Sequence, residues 1–171
     1  TLHVPSLGHD LLLQGVISGA SELVKTGAGE LSVEGTSSTF SGTWRIEEGL
    51  LDVFDDRALG ASAANLVFAG GNLITYGITT SRAIELASDA TFVTRGQFNE
   101  VVLNGPITGS GGLTLNHGLF TLNGTNTGAV TPTPAGPTGT RGASKPSRGS
   151  ARQSARSSAT GIGPEAAKRP R

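Results

Sequence analysis

The sequence predicts an all-β chain folded as a β-solenoid, in which short strands wind into stacked coils. Three observations predict it: short alternating runs of apolar and polar residues, a repeat of those runs along the chain, and glycines or asparagines between them. The glycines and asparagines supply the positive φ angles that the corners of a coil need. An antiparallel sandwich or meander is the alternative fold for the same runs.

The strand signal recurs from one end of residues 1–128 to the other. Most runs alternate over four to six positions and stop at Gly, Asn or Asp, as strands followed by turns do. The runs are LLLQGVI, ELSVEG, TWRIEEG, LLDVFDD, NLVFAGG, NLITYG, RAIELAS, TFVTRG, EVVLNG, GLTLN and LFTLNG. The best helical candidate, DDRALGASAAN at 55–65, is short and interrupted by Gly60, so no helix is expected.

Two periods run through this region. GVISGASELV at 15–24 aligns with GPITGSGGLT at 105–114, an offset of 90, and LSVEGT at 31–36 aligns with FTLNGT at 120–125, an offset of 89. A shorter period of about 20 residues is suggested by six apolar residues at that spacing: Leu13, Val33, Val53, Leu73, Val93 and Leu113. About 20 residues make one coil of a solenoid, and six coils spaced about 4.8 Å apart give a rod about 30 Å long.

The chain is divided by charge near Gly128. Residues 1–128 hold 5 Lys/Arg and 12 Asp/Glu, whereas residues 129–171 hold 8 and 1, together with six of the eight prolines and no aromatic residue. A segment with so few apolar residues cannot offset the entropy lost on ordering. We therefore expect a β-solenoid repeat region at 1–128, with its second repeat beginning near Gly105, and a disordered basic tail at 129–171. The chain has no cysteine, which excludes disulfides and thiol chemistry.

One stretch resembles a known family closely. VISGASELVKTGAGELSVEGTSSTFSGTWRIEEGLLDV at 16–53 is similar to the autotransporter-associated β-strand repeat of passenger domains in Gram-negative autotransporters. The matching positions are Leu23, Lys25, Gly27, Gly29, Leu31, Val33, Gly35, Phe40, Gly42, Gly49, Leu51 and Val53. The resemblance extends over about residues 13–128. It implies a right-handed parallel β-helix, carried to the cell surface by a separate C-terminal translocator β-barrel.

The chain departs from the family pattern after Gly128. It would continue with a threonine-rich turn and another strand, whereas this chain continues with AVTPTPAGPTGTRGASKPSRGSARQS. We expect the second repeat to be broken there, by a frame change or an artificial chain end.

Candidate chemical sites are few. Lys25 before Gly27 and Gly29 imitates a phosphate loop, but a true one places the lysine after the glycines and before a helix, so we interpret this stretch as a solvated corner. Two pairs of carboxylates are adjacent in the sequence, Glu47-Glu48 and Asp55-Asp56. Because neighbouring side chains of a strand point to opposite faces, neither pair is placed to act as an acid and a base. Asp52 with Asp55 and Asp56 is a weak calcium candidate, interpreted as a solvated acidic face.

The sequence does not identify a functional site among the histidines or the aromatic residues. The spacing of His3, His9 and His117 is not that of metal ligands. Ser6 lies near His9 and Asp10, but a catalytic triad is defined by its geometry in space and not by neighbours in sequence. We therefore interpret this segment as a turn. The aromatic residues are expected mainly as core stacks, with glycan-stacking platforms as the alternative. They are Trp44, Phe40, Phe54, Phe68, Tyr76, Phe92, Phe98 and Phe120.

The sequence therefore predicts a structural protein, not an enzyme. We expect no catalytic, cofactor-binding or metal-binding residues, no cofactor, no nucleic-acid partner and no membrane span in this chain. The resemblance implies a surface-exposed stalk segment of an autotransporter passenger domain, secreted or associated with the outer membrane. An adhesin-type module that binds host glycan or protein is the alternative, and it would be tested by loss of saturable binding on mutation of Trp44. An enzyme of the β-helix class is a third hypothesis.

Overall fold

The computed structural model describes residues 1–6, 8, 10–36, 38–96 and 99–132. In these residues the chain forms a parallel β-solenoid of about six turns with three faces. Each of the eleven runs picked out in the sequence contains a strand, so the all-β solenoid is confirmed and the sandwich is wrong, because every strand pair is parallel. The right hand of the coil stays an expectation.

The three faces of the solenoid are three sheets. Sheet A contains β1 (Leu2–His3), β3 (Leu23–Thr26), β5 (Trp44–Ile46), β7 (Leu66–Phe68), β10 (Ile84–Leu86) and β13 (Ile107–Gly109). Sheet B contains β2 (Asp10–Leu13), β4 (Glu30–Val33), β6 (Leu50–Val53), β8 (Asn72–Thr75), β11 (Ala90–Thr94), β14 (Gly112–Asn116) and β16 (Ala129–Pro132). Sheet C is shorter and, within the described ranges, contains β9 (Thr79–Thr80), β12 (Glu100–Leu103) and β15 (Leu119–Leu122).

The core is a set of apolar columns that run along the solenoid axis. Period-2 alternation turns every second side chain of a strand inward. One column of sheet B is Leu11, Leu31, Leu51, Leu73, Phe92 and Leu115, which are paired in register from coil to coil. Inside the solenoid, the Phe68 and Phe92 rings contact each other at a centroid distance of 4.9 Å.

The strict short period expected from the sequence is correct only for the first coils. Leu13, Val33 and Val53 are paired in register, but Val53 is next paired with Thr75, because this coil is longer by a pair of residues. The following coil, from Leu73 to Phe92, is shorter again. Val93 is thereby paired with Ile74 on the outward side and is half-buried, so the 20-residue spacing from Leu73 to Val93 does not follow the pairing of the strands.

The longer repeat turns around the rod. Leu23 lies in sheet A, yet its counterpart in the second repeat, Leu113, lies in sheet B. Within sheet A, β3 is connected to β13 by four successive pairings, through β5, β7 and β10, and each pairing is a step of one coil. Strand β14 follows β13 in the chain and lies on the next face, in sheet B. Leu31 and its counterpart Phe120 show the same change, from sheet B to sheet C. One repeat therefore spans about four and one third coils.

The extra residues of the longer coil form a short 3₁₀ turn at Asp56–Leu59. Asp55 caps its start, where its carboxylate accepts the backbone N–H of Arg57 at 2.9 Å. This turn occupies the place where later coils contribute strands to sheet C, so β9 is the first strand of that sheet.

The solenoid does not stop at Gly128. Strand β16 is paired with β14 from Gly112↔Ala129 to Leu115↔Pro132, across the point where we expected the repeat to break. The tail beyond Pro132 lies outside the described residues, so the division into a solenoid and a basic tail stays a prediction.

Candidate functional site

Lys25 is a buried corner residue. It was predicted to be solvated, and this is wrong: the side chain is fully buried, because residue 25 shares the inward face of β3 with Leu23. Its Nζ donates to the Gly27 carbonyl of its own corner and, at 3.0 Å, to the Glu48 carbonyl of the next coil. Burial lowers the pKa of Lys25, and the nearby Glu48 carboxylate partly offsets this. The ammonium thus joins two coils.

The glycine turn after Lys25 is a corner, as predicted. Gly27 has φ 79°, a conformation that costs other residues energy, and lies between β3 and β4. A Cβ at Gly27 would meet the carbonyl of Val4 in the preceding coil. Both the conformation and the close approach therefore require glycine, and a strand follows the turn where a phosphate loop has a helix.

Arg82 holds the 3₁₀ turn from the coil above. The side chain is 1 % exposed, and its Nε donates to the Asp56 carboxylate at 2.8 Å. The guanidinium also donates to four carbonyls of this loop, those of Asp56, Gly60, Ala61 and Ala64. A buried arginine needs such partners, because an unpaired buried charge is costly. Arg82 was not among the candidate residues predicted from the sequence.

Trp44 holds the same turn from below. Its side chain is fully buried, and its Nε1 donates to the Leu59 carbonyl at 3.0 Å, while the ring makes an edge contact with Phe40 at 5.5 Å. Loss of binding on mutation of Trp44 would therefore report a damaged core, so the test expected from the sequence is unsuitable.

An ion cluster lies on the outer side of sheet B. Arg95 Nη2 reaches Glu30 Oε1 at 2.5 Å and Asp52 Oδ2 at 3.1 Å, so it connects three coils. Asp52 is 2 % exposed, and its Oδ1 has no partner within the described part of the chain. Burial raises the pKa of Asp52 to about 6, against the Arg95 charge that lowers it, and Glu30 adds to the rise.

The candidate calcium ligands are held apart by arginines. Asp55 is bonded to Arg57, and its pKa is lowered to about 2 by the side-chain hydrogen bonds from that residue. Asp56 is bonded to Arg82, and Asp52 to Arg95. The solvated acidic face is wrong for buried Asp52, and in the ranges that the structure describes no three acidic or histidine side chains form a metal-binding group.

The remaining predicted residues do not converge. Glu47 is bonded to Arg45 at 3.1 Å on the surface. His3 Nδ1 lies 3.0 Å from Thr26 Oγ1, and His117 occupies a corner with φ 58°. His9 and Phe98 lie outside the described residues, so the triad interpretation and one of the aromatic predictions are not tested.

Aromatic residues separate into two groups. Phe40, Trp44, Phe68 and Phe92 are core residues as predicted, and Phe120 is half-buried. Phe54 and Tyr76 are 40 % and 45 % exposed and stack on each other at a centroid distance of 4.6 Å. Arg95 lies over the Tyr76 ring at 5.8 Å.

A groove of about 300 Å³ opens beside this aromatic stack. One wall is Phe54, Asp55 and Arg57, and the other is the chain entering β9, Gly77, Ile78 and Thr79. Its volume is at the lower end of the range for ligand sites.

Comparison with known proteins gives one informative relative. The chain is 36 % identical over 98 residues, 57 % of its own length, to the Adhesin BmaC autotransporter of Brucella suis biovar 1 (strain 1330). It spans only 3 % of the length of that protein. No protein-family profile matches the chain, and no solved structure matches it.

The relative and the fold agree with the resemblance identified in the sequence. The homologue is an autotransporter adhesin, and a parallel β-solenoid is consistent with an autotransporter passenger repeat. Together they support a passenger-domain role and imply a secreted or cell-surface, outer-membrane-associated protein of a Gram-negative bacterium. In the described residues, no helix is long and apolar enough to span a membrane.

Proposed function

We propose that this chain, a β-solenoid whose homologue is an autotransporter adhesin, is a structural stalk segment of a passenger domain and is not an enzyme. One observation carries the proposal: among the described residues, the buried charged side chains, Lys25, Asp52 and Arg82, are bonded between coils, and none of them lines the groove described above. Lys25 and Arg82 each donate to backbone carbonyls of a neighbouring coil. Groups that would otherwise suggest catalysis thereby hold a rod together.

The stalk extends and presents other parts of a longer protein. Each coil buries an apolar layer on the coil before it, so stability comes from stacking between neighbours. In the full-length protein we expect a C-terminal translocator, as the relative's name implies. The adhesin name of that relative also favours a non-enzymatic role.

The proposal is tested by display on a Gram-negative cell. The intact chain, fused ahead of an autotransporter translocator with an N-terminal epitope, should expose the epitope at the surface and resist brief protease treatment. A fusion that carries Arg82→Ala should show much less protease-resistant chain, with the translocator alone as control. Retention of the wild-type fusion inside the cell, or rapid digestion of it at the surface, would contradict a stalk role.

A binding module for host glycan or protein is the second candidate function, because Phe54 and Tyr76 are exposed next to a groove. Saturable binding of the displayed chain to host cells, lost with Phe54→Ser and kept with Val16→Ser, would favour this function over a passive stalk.

A further inference from the structure

The first strand of sheet C has an open edge. On its other side β9 is paired with β12, where Val102 N–H donates to the Ile78 carbonyl and Asn104 N–H to the Thr80 carbonyl, both at 2.8 Å. Alternate residues of a parallel strand direct their backbone groups to opposite edges. The N–H and C=O of Thr79 therefore point away from β12, to an edge where none of the described strands is paired.

The groove lies along this open edge. In the coil below β9 the chain forms the 3₁₀ turn instead of a strand, and the space between them is the groove of about 300 Å³. Free backbone donors and acceptors on an exposed edge are a template for another extended chain. The half-exposed Phe54 ring on the facing wall offers apolar contact to a side chain of that chain.

The aromatic stack does not suit a sugar. Sugars bind the faces of aromatic rings, but the facing sides of Phe54 and Tyr76 are covered by each other, and Arg95 from the next coil covers Tyr76. Tyr76 does not line the groove, so one face of Phe54 is the aromatic surface left for a sugar, whereas the backbone groups of Thr79 offer a pairing edge to an extended peptide. A polypeptide is therefore favoured over a glycan.

The charge of the rod indicates which kind of polypeptide the groove would bind. All five basic residues of the described chain are already engaged, Lys25 with carbonyls and the four arginines with carboxylates. They stand against 12 acidic residues, so the rod surface is negative. Asp55 and Asp56 line the groove but are paired with Arg57 and Arg82, so the attraction for a basic segment comes from the net negative charge of the rod. Basic side chains beside the added strand would be attracted.

We propose that the groove between the 3₁₀ turn and β9 binds an extended basic segment of a partner polypeptide, which adds to sheet C as a strand beside Thr79. This binding site goes beyond the stalk role and does not rest on it, because the chain can act as a stalk whether or not its groove binds a ligand.

The test is a titration of the intact 171-residue chain with the synthetic peptide acetyl-Lys-Thr-Val-Thr-Val-Lys-amide, followed through backbone amide NMR shifts. We expect saturable shifts at Gly77, Thr79 and Arg57, with a dissociation constant on the order of 0.1–1 mM for so short a strand. The same peptide N-methylated at alternate amides keeps its charge but cannot pair, and it should bind at least about tenfold more weakly.

Variants separate the groove from other surfaces. Phe54→Ser should weaken binding several-fold, and Thr79→Pro, which removes the edge N–H, should abolish it. Val16→Ser, at another exposed apolar residue, should leave binding unchanged. Equal binding of the N-methylated peptide, shifts confined to other surfaces or no shifts at all would overturn the proposal. Shifts at the groove with cellohexaose but not with the peptide would assign it to a glycan instead.

Discussion

Lys25 shows how a single charged side chain can stabilise a solenoid core. Replacement by Met keeps the aliphatic stem but leaves the Gly27 and Glu48 carbonyls without their donor. We expect Lys25→Met to lower the free energy of unfolding by about 1–3 kcal/mol, and Lys25→Ala by about 2–5 kcal/mol because it also leaves a cavity.

Urea denaturation of the variants measures both losses. Arg45→Met is the matched control, since Arg45 forms a surface ion pair with Glu47 worth about 1 kcal/mol at most. If Lys25→Met were as stable as the wild type, the bonds between coils would contribute nothing.

Asp52 predicts how stability depends on pH. Its folded pKa of about 6 lies above the ordinary value of 3.8, so between these values the folded chain binds more protons than the unfolded chain. Its contribution to stability is therefore greatest in acid and is lost as pH rises from about 4 through 6. Asp55 has the opposite sign: its pKa of about 2 gives a contribution that is present above 3.8 and lost below it, outside that window.

We expect Asp52→Asn to remove a fall of about 1–3 kcal/mol in unfolding free energy between pH 4 and pH 7. Urea denaturation at four pH values, with the wild type and Asp55→Asn run in parallel, measures the difference. An Asp52→Asn profile that matches the wild-type profile would show that Asp52 ionises normally.

Among the elements, the 3₁₀ turn at Asp56–Leu59 is held by side chains from the coils on either side. Arg82→Met removes the charge partner of Asp56 and the donors to four carbonyls, so we expect a loss of about 3–5 kcal/mol. Hydrogen exchange at Ala58 and Gly60 should increase more than at Leu31, which lies in β4, outside the turn. Equal increases at both places would indicate general unfolding and contradict a local role.

The sequence predicted the strands better than the connections between them. Alternation and turn residues located eleven of the strands, because both signals are local. The 3₁₀ turn was missed because it depends on Arg82, a partner in the next coil, and β9 was missed because Thr79–Thr80 is too short to show alternation. Coil length could not be predicted either, since the short period changes at the coil that accommodates this turn.

The candidate site was predictable only in part. Strand alternation applied to LVKT places Lys25 on the same face as Leu23, and to RAIEL it places Arg82 on the same face as Ile84, so both burials were predictable. What a lysine or arginine is bonded to inside a coil depends on carbonyls of the next coil. The groove was not predictable, because its walls come from two coils and its shape depends on the missing strand below β9.

Along the whole rod, the two end coils should be the least protected. Among the described strands, β2 is paired only with β4 and β15 only with β12, and the apolar residues there are only partly buried, Leu11 and Leu13 at one end and Phe120 and Leu122 at the other. Leu51 and Phe68 in the middle are fully buried. We expect amide hydrogen exchange to be at least about tenfold faster in β2 and β15 than in β6 and β7.

Hydrogen exchange measured by mass spectrometry tests this gradient. Uniform protection along residues 10–122 would mean that the coils unfold as one unit. Arg82→Met should reduce protection most in the middle, where the unaltered chain is most stable.

The fractional advance of the long repeat gives the rod a screw axis. Because Leu23 and Leu113 occupy successive faces, a residue at the same place in consecutive repeats is carried a third of a turn around the circumference each time. In an array that kept this advance, the thread would return to its starting side after three repeats, about 13 coils or about 62 Å along the axis. A partner lying along one side of such a rod would contact every third copy of a given loop. The sequences of the copies between them could then change without altering the surface that this partner binds.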